Sequence, residues 1–327
     1  MLNANAEDAP APPAVTQADD ASTPPDTLPW GAEPERLTRA RAGASSEQVA
    51  DVGADAAPSD QSGSLVPRAE WAPKGTNWRT GSLRTDTTSV EPPKPPLVGE
   101  PAPDGSNTVN FFYAVASQAA STDGAYANLV IGKPYLASGD YHTLSEVSVQ
   151  SADGQQAVEV GWTVDRTVNG DADPHLFVYH WVDGKESCYN ACGWQQYSGT
   201  TKPGDTLPDG ASKRFGIMHY NDAWWVVYDT EWIGYFPDDL WDGDYTRSGL
   251  QQFFGEVAAS STRPCTDMGN GSPAWSENAA RVGSVAQIDG GLVSTLVNLN
   301  IRGIGGVYPT PVQLSSRTFR YGGSGAC

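Results

Sequence analysis

Two glutamates stand in strand contexts that set a carboxylate apart from its neighbours. In Ala157-Val158-Glu159-Val160-Gly161-Trp162-Thr163-Val164, a period of two puts Val158, Val160, Trp162 and Val164 on one face, which must be the core face. Glu159 then falls on the opposite face, with the small residues Ala157, Gly161 and Thr163 in its row. A second strand repeats the arrangement, with Glu256 directly after Gly255 in Phe253-Phe254-Gly255-Glu256-Val257. Two carboxyl groups that share one proton can act together, one as base towards water and the other as acid towards the leaving or carbonyl oxygen. That is hydrolytic chemistry for acid conditions, and glycoside hydrolases use such pairs too. On pattern alone, two solvent-facing strand carboxylates would read the same.

Other catalytic machinery is missing. The chain has no G-x-S-x-G, no H-E-x-x-H and no Walker or dinucleotide-binding glycine pattern. Its four histidines (142, 175, 180 and 219) sit singly, without metal-ligand spacing, and read as ordinary strand residues. Asp165-x3-Asn169-Gly170-Asp171-x-Asp173 has the look of a calcium loop, but its twelfth position is Leu176 rather than Glu, so a connecting loop is expected. No metal and no cofactor is expected.

The elements that would position the two carboxylates are strands. Short β-branched and aromatic runs are predicted at 109–116, 127–131, 143–150, 157–165, 175–182, 212–220, 224–229, 231–236, 250–257, 279–288 and 312–321. Turn pairs divide them: Asp153-Gly154, Asn169-Gly170, Asp183-Gly184, Asn221-Asp222, Asp242-Gly243 and Asp289-Gly290. No segment sustains a helical period. The fold class is therefore all-β, an antiparallel β-sandwich of two large sheets.

Composition agrees and adds a boundary. The chain has 327 residues, with 35 Gly, 25 Pro and a net charge of -19. That acidity excludes a nucleic-acid partner, and no apolar run is long enough for a membrane-spanning helix. It also suits acid surroundings, where protonation relieves the self-repulsion; solubility alone would account for it equally well. Residues 1–100 hold 14 of the 25 Pro and only three of the 32 aromatics, Trp30, Trp71 and Trp78, too few for a large core. The division predicted is a Pro-rich segment and linker over 1–103, then a sandwich domain over 104–327. Pro10–Pro13 and Pro92–Pro96 read as polyproline II, and Glu35–Ala40 as a short helix-friendly run.

Four cysteines, an even number with one at the last position, suggest two disulfides, Cys188–Cys192 and Cys265–Cys327, and hence a secreted protein. Met1-Leu2-Asn3-Ala4 shows no basic start and no apolar stretch, so a secretory leader is expected to have been removed already.

One ordered set of motifs points further. Glu159-Val-Gly-Trp162, Asn169-Gly-Asp171, His175-Leu-Phe-Val-Tyr179 and Cys188-Tyr-Asn-Ala-Cys192 are followed by Trp224-Trp225 and Gly234-Tyr-Phe-Pro-Asp-Asp-Leu-Trp241. Phe254-Gly-Glu256-Val and Thr266-Asp-Met-Gly-Asn-Gly271 complete it. Over about residues 108 to 290 this set resembles the neprosin family. The resemblance implies a secreted β-sandwich glutamic peptidase, active in acid and inclined to cut after proline, with Glu159 and Glu256 as its catalytic glutamates. The chain departs from plant members at Leu144-Ser145-Glu146, where they often carry S-L-S-Q, and at Phe253-Phe254-Gly255-Glu256, where they carry W-G-G-E. The resemblance therefore carries over no role for the glutamine or for the tryptophan of those plant motifs.

The proton's place within such a pair is not fixed by sequence; the expectation is an ionised Glu159 as base and a protonated Glu256 as acid. A pocket for proline should be aromatic, and Tyr179, Trp181, Trp194 and Tyr235 are its candidates. The first hundred residues fit a pro-segment that the enzyme removes itself, cutting after Pro96, Pro101 or Pro103. The expected partners are proline-rich peptide or protein substrates and the chain's own pro-segment, with the protein a monomer. A glycoside hydrolase or a carbohydrate-binding module on the same sandwich is the alternative, separated by assaying a proline-containing peptide against a panel of glucans.

Overall fold

The computed structural model describes residues 22–35, the backbone of 78–79, and 109–327. The polyproline runs and most of the helix-friendly stretch lie outside these residues. Its strands are β1 (Trp78–Arg79), β2 (Asn110–Thr122), β3 (Gly124–Val130), β4 (His142–Gln150), β5 (Ala157–Val164) and β6 (His175–Val182). They continue with β7 (Lys185–Glu186), β8 (Gln195–Gln196), β9 (Ser212–His219), β10 (Ala223–Tyr228), β11 (Glu231–Pro237) and β12 (Ser248–Ala259). The last are β13 (Ala280–Asp289), β14 (Leu292–Ser294), β15 (Asn300–Ile304), β16 (Val312–Ser315) and β17 (Thr318–Tyr321). The one α-helix among the described residues, α1 (Arg166–Asn169), is a single turn capped by Asp165.

These strands form two antiparallel sheets, apart from the parallel β1–β14 pair. One sheet has seven strands in the order β15-β2-β12-β4-β5-β6-β7; the other has ten, along β1-β14-β13-β3-β9-β10-β11-β8 with β16 and β17 attached to β13. Core residues alternate as the sequence demands: Val158, Val160, Trp162 and Val164 of β5 meet Leu129, Phe215, Ile217, Trp224 and Val226 of the facing sheet. Buried indoles are pinned by hydrogen bonds, Trp162 Nε1 to the Val130 carbonyl at 3.0 Å and Trp241 Nε1 to the Trp181 carbonyl at 2.8 Å. At Asn221-Asp222 and Asp183-Gly184 both residues have positive φ, the geometry of tight hairpin turns.

Differences from the sequence reading lie at the edges. The last predicted strand is two, β16 and β17, joined by a turn, and β14 and β15 were not anticipated because they are only three and five residues long. Both expected disulfides are formed, and the Cys265–Cys327 bridge ties the C-terminus to the Thr266–Gly271 loop.

The N-terminal segment contributes more than composition suggested. Leu28 and Trp30 are buried on the outer face of the ten-stranded sheet, among Tyr126, Trp225, Trp232 and Ile288. Trp30 meets Tyr126 edge-on at 5.3 Å, and the Arg214 guanidinium lies 4.6 Å from its ring. Hydrogen bonds from the Glu35 amide to the Thr230 carbonyl and from the Ser22 hydroxyl to the Asn221 carbonyl fix the two ends. Replacing Trp30 by Ala should weaken this docking by about 3 kcal/mol, the usual cost of truncating a buried aromatic. Trypsin should then cut faster at Arg36, Arg39 and Arg41, with the thermal midpoint of the sandwich unchanged. An unchanged cutting rate would show that the slot is not what holds the segment.

Candidate active site

The register of the seven-stranded sheet decides which residues share its outer face. Across β12, β4, β5 and β6, the row Gln252–Ser148–Glu159–Tyr179 lies parallel to Phe254–Glu146–Gly161–Phe177 and to Glu256–Leu144–Thr163–His175. Glu159 and Glu256 therefore lie on one face, on the two strands that flank β4. They pair with β4 residues four apart, Ser148 and Leu144. Strand spacing and rise then put their Cα atoms roughly 16 Å apart, with Glu146 at the midpoint and roughly 8 Å from each. All three glutamates are buried, and Glu146 feels the charge of the other two.

Both motif glycines have a steric reason. A Cβ on Gly161 would lie 2.1 Å from the Ser145 carbonyl oxygen and 2.7 Å from the Glu146 Cβ, so the glycine makes room for the third carboxylate. Gly255 points the other way, where a Cβ would lie 2.1 Å from the Tyr321 ring in the core.

The three carboxyl groups have different surroundings. Burial pushes Glu159 up to about 8, Glu256's charge adds to this, and hydrogen bonds from Trp181 and Ser148 partly offset it. The Trp181 Nε1 donates to Glu159 Oε1 at 3.1 Å. Glu146 is held well above the carboxylate range, first by burial and then by the charges of Glu159 and Glu256. Its Oε1 has no hydrogen-bond partner among the described residues, and neither do the buried Tyr189 and Thr163 hydroxyls. Glu256 alone of the three meets a basic side chain: its Oε1 is 2.6 Å from His142 Nε2.

Burial works against the ionised state expected for Glu159. The carboxyl expected to be ionised, Glu159, is the one held protonated to about pH 8, because it is desolvated with no cation beside it. The aromatic candidates divide. Tyr179 and Trp181 lie on β6 in the rows beside Glu159, in an apolar cluster with Tyr113, Val115, Phe177 and Phe254. Trp194 instead packs against Phe236 at the edge of the inter-sheet core, and Tyr235 lies under the N-terminal segment, where its hydroxyl accepts from the Ser22 amide. Tyr235 is on β11 and Trp194 directly precedes β8, both strands of the other sheet; aromatic residues in the sequence do not mark which sheet a strand joins. Sequence reasoning passed over Glu146 and His142. The legible signal was Glu146 in the position of the plant glutamine, on the strand between the other two. No group of three or more His, Cys, Asp and Glu suited to a metal ion occurs among the described residues.

The three glutamates thus form a buried acid cluster on the outer face of an antiparallel sandwich, beside the aromatic residues of β6 and β12. The neprosin family model matches residues 139–304, half of the chain and the span that carries all three glutamates. The chain belongs to the neprosin family, a family of glutamic peptidases. Among solved structures it is similar to scytalido-glutamic peptidase in complex with a transition state analog inhibitor, at 12% identity, covering 66% of this chain and 100% of that one with a TM-score of 0.43. A carbohydrate binding module from Bacillus subtilis matches at 10% identity, 45% of this chain and 78% of that one, TM-score 0.25. A homodimeric agglutinin from chicken liver matches at 11%, 47% and 97%, TM-score 0.24. All three lie below the level at which a likeness speaks to activity.

Proposed function

We propose that this chain is a secreted, acid-active glutamic endopeptidase that cuts after proline and is made as a zymogen. The observation that carries the reading is the cluster of Glu146, Glu159 and Glu256 on one sheet face within a neprosin-family domain. Glu256, against His142, is the base that takes a proton from the attacking water. Glu159 keeps its proton at working pH and donates a hydrogen bond to the carbonyl oxygen as it becomes an oxyanion. When the intermediate collapses to the acid, Glu256 passes the proton it took from water to the leaving amine, which restores both carboxyl groups. Glu146, also neutral, offers an O–H donor to the oxyanion between them, as an amide would at the same position. Tyr179, Trp181 and Phe177 give the apolar, aromatic wall that a proline ring favours, and proline needs no partner for an amide N–H. Two disulfides support an oxidising, extracellular setting.

The described part of the N-terminal segment sits on the ten-stranded sheet, away from the glutamates, so residues 22–35 act as an anchor for the segment and not as a plug. Acidification of the full chain should remove about the first hundred residues, with new termini after Pro96, Pro101 or Pro103. Glu256→Gln protein should stay intact unless active enzyme is mixed in. Intact-mass spectrometry before and after a drop to pH 4 reads the result; an unchanged wild-type mass would count against self-processing. Cleavage of a proline-containing peptide, set against a panel of glucans at pH 3–5, tests the activity itself, and turnover of a glucan alone would overturn it.

A further inference from the structure

The partner of Glu256 is itself held in place. His142 begins β4 and is buried, with Nε2 2.6 Å from Glu256 Oε1 and Nδ1 4.0 Å from Asp165 Oδ2. Asp165 has little freedom to turn away. Its Oδ1 accepts from the Thr167 and Val168 amides, at 2.8 and 3.0 Å, as the cap of α1, which leaves Oδ2 facing the imidazole. The three groups come from three adjacent strands: β12 carries Glu256, β4 carries His142, and Asp165 follows directly on β5. Loop residue Tyr189 also senses Glu256, Asp165, Glu146 and Glu159, and its phenol is held neutral by burial.

From this geometry we infer that His142, oriented by Asp165, is a positioning residue that holds Glu256 as the ionised base and so sets how far into acid the enzyme can work. The inference deepens the peptidase reading and rests on it for its kinetic consequence. A buried imidazolium between two carboxylates needs both. Burial alone would lower the histidine, and the hydrogen bond and charge of Glu256, with the charge of Asp165, outweigh it and raise it. At working pH the ring is therefore a cation, hydrogen-bonded to Glu256 and within ion-pair distance of Asp165. It donates to Glu256 and fixes its rotamer. An enzyme that must keep two carboxyls protonated and one ionised in the same desolvated patch needs such a difference in environment, and His142 supplies it at Glu256. Arg302 lies in the row of Glu146, separated from it by Phe254 and Val115 of the intervening strands.

Two variants and one spectroscopic titration test this. His142→Gln keeps a hydrogen-bond donor but removes the charge; Asp165→Asn keeps the helix cap but removes the orienting charge. With a proline-containing peptide, each should move the acid limb of kcat/KM upward, by about one pH unit for His142→Gln and less for Asp165→Asn. At pH 3–4, kcat should fall about tenfold with KM little changed. An acid limb that stays in place in both folded variants, or a loss uniform across pH, would overturn the inference. The second readout does not use activity. In the full-length protein, the His142 ring signal followed by NMR should titrate above the ordinary histidine value, and the midpoint should fall in Glu256→Gln. A midpoint unmoved by Glu256→Gln overturns the pairing. If wild type cleaves nothing, the peptidase reading fails by itself, and the titration still decides the pair.

Discussion

Glu256→Gln protein is expected to lose about 10³-fold or more in kcat/KM on a proline-containing peptide while keeping its fold, since it loses the base that activates water. Glu159→Gln removes the proton donor and should lose about 10²- to 10³-fold. Glu146 separates this account from a simple two-glutamate one. If it acts as a neutral donor, Glu146→Gln should stay within about tenfold of wild type, because an amide N–H replaces the carboxyl O–H at the same reach. Glu146→Leu, apolar and unable to donate, should lose about 10²-fold. Steady-state kinetics at pH 3–5, with circular dichroism to confirm folding, reads all four. Folded Glu256→Gln that still cleaves would end the proposal for that residue, and Glu146→Gln falling as far as Glu146→Leu would make Glu146 a group whose acidity matters.

The sandwich was legible because its strands obey a strict period of two and its turns use residues that accept positive φ. Val158 to Val164 could be assigned to the core without any partner in view, and they are buried there. Glu159 and Glu256 were legible for the complementary reason: each interrupts an apolar strand on its outer face. What sequence could not supply is register. That Glu146 falls midway between the other two follows only from pairing Ser148 with Glu159 and Leu144 with Glu256, and a one-residue slip would send it to the core. His142 was equally hidden, since it stands 114 residues from the carboxylate it touches. Trp194 and Tyr235 show the converse limit. Aromatic residues near a motif in sequence were placed at the site, but β8 and β11 belong to the facing sheet. The N-terminal anchor was missed because two apolar residues, Leu28 and Trp30, suffice when the sheet supplies the rest of the cluster.

The acid cluster should also leave its mark on stability. In the unfolded chain Glu159 loses its proton near 4.5, and in the native protein only near 8. Below about pH 4.5 both states hold the proton and the group contributes nothing. Between 4.5 and 8 the native state binds more protons than the unfolded one, so stability falls as pH rises. Glu146 acts in the same sense. His142 adds to it, because a histidine raised in the native state stabilises fully below its unfolded value and loses that contribution as pH climbs through its native one. His180 opposes them in acid. Burial beside Phe236 and Trp241 lowers it to about 4, so stability is lost as pH falls from about 6.5 towards 4. Adding Glu159→Gln to the Glu256→Gln protein, which keeps processing constant, should therefore flatten the alkaline limb alone. The gain at pH 8 should be about 3 kcal/mol, less than the full shift implies because a charged carboxylate relaxes its surroundings. Thermal midpoints from pH 3 to 9 would show it as a rise of roughly 6 °C at pH 8 and almost none at pH 4. Parallel curves for the two proteins would mean that Glu159 is not held protonated in the fold. Divergence would show that the site trades neutral-pH stability for carboxyl groups already in the form that acid catalysis uses, in a chain whose net charge of -19 is likewise relieved only in acid.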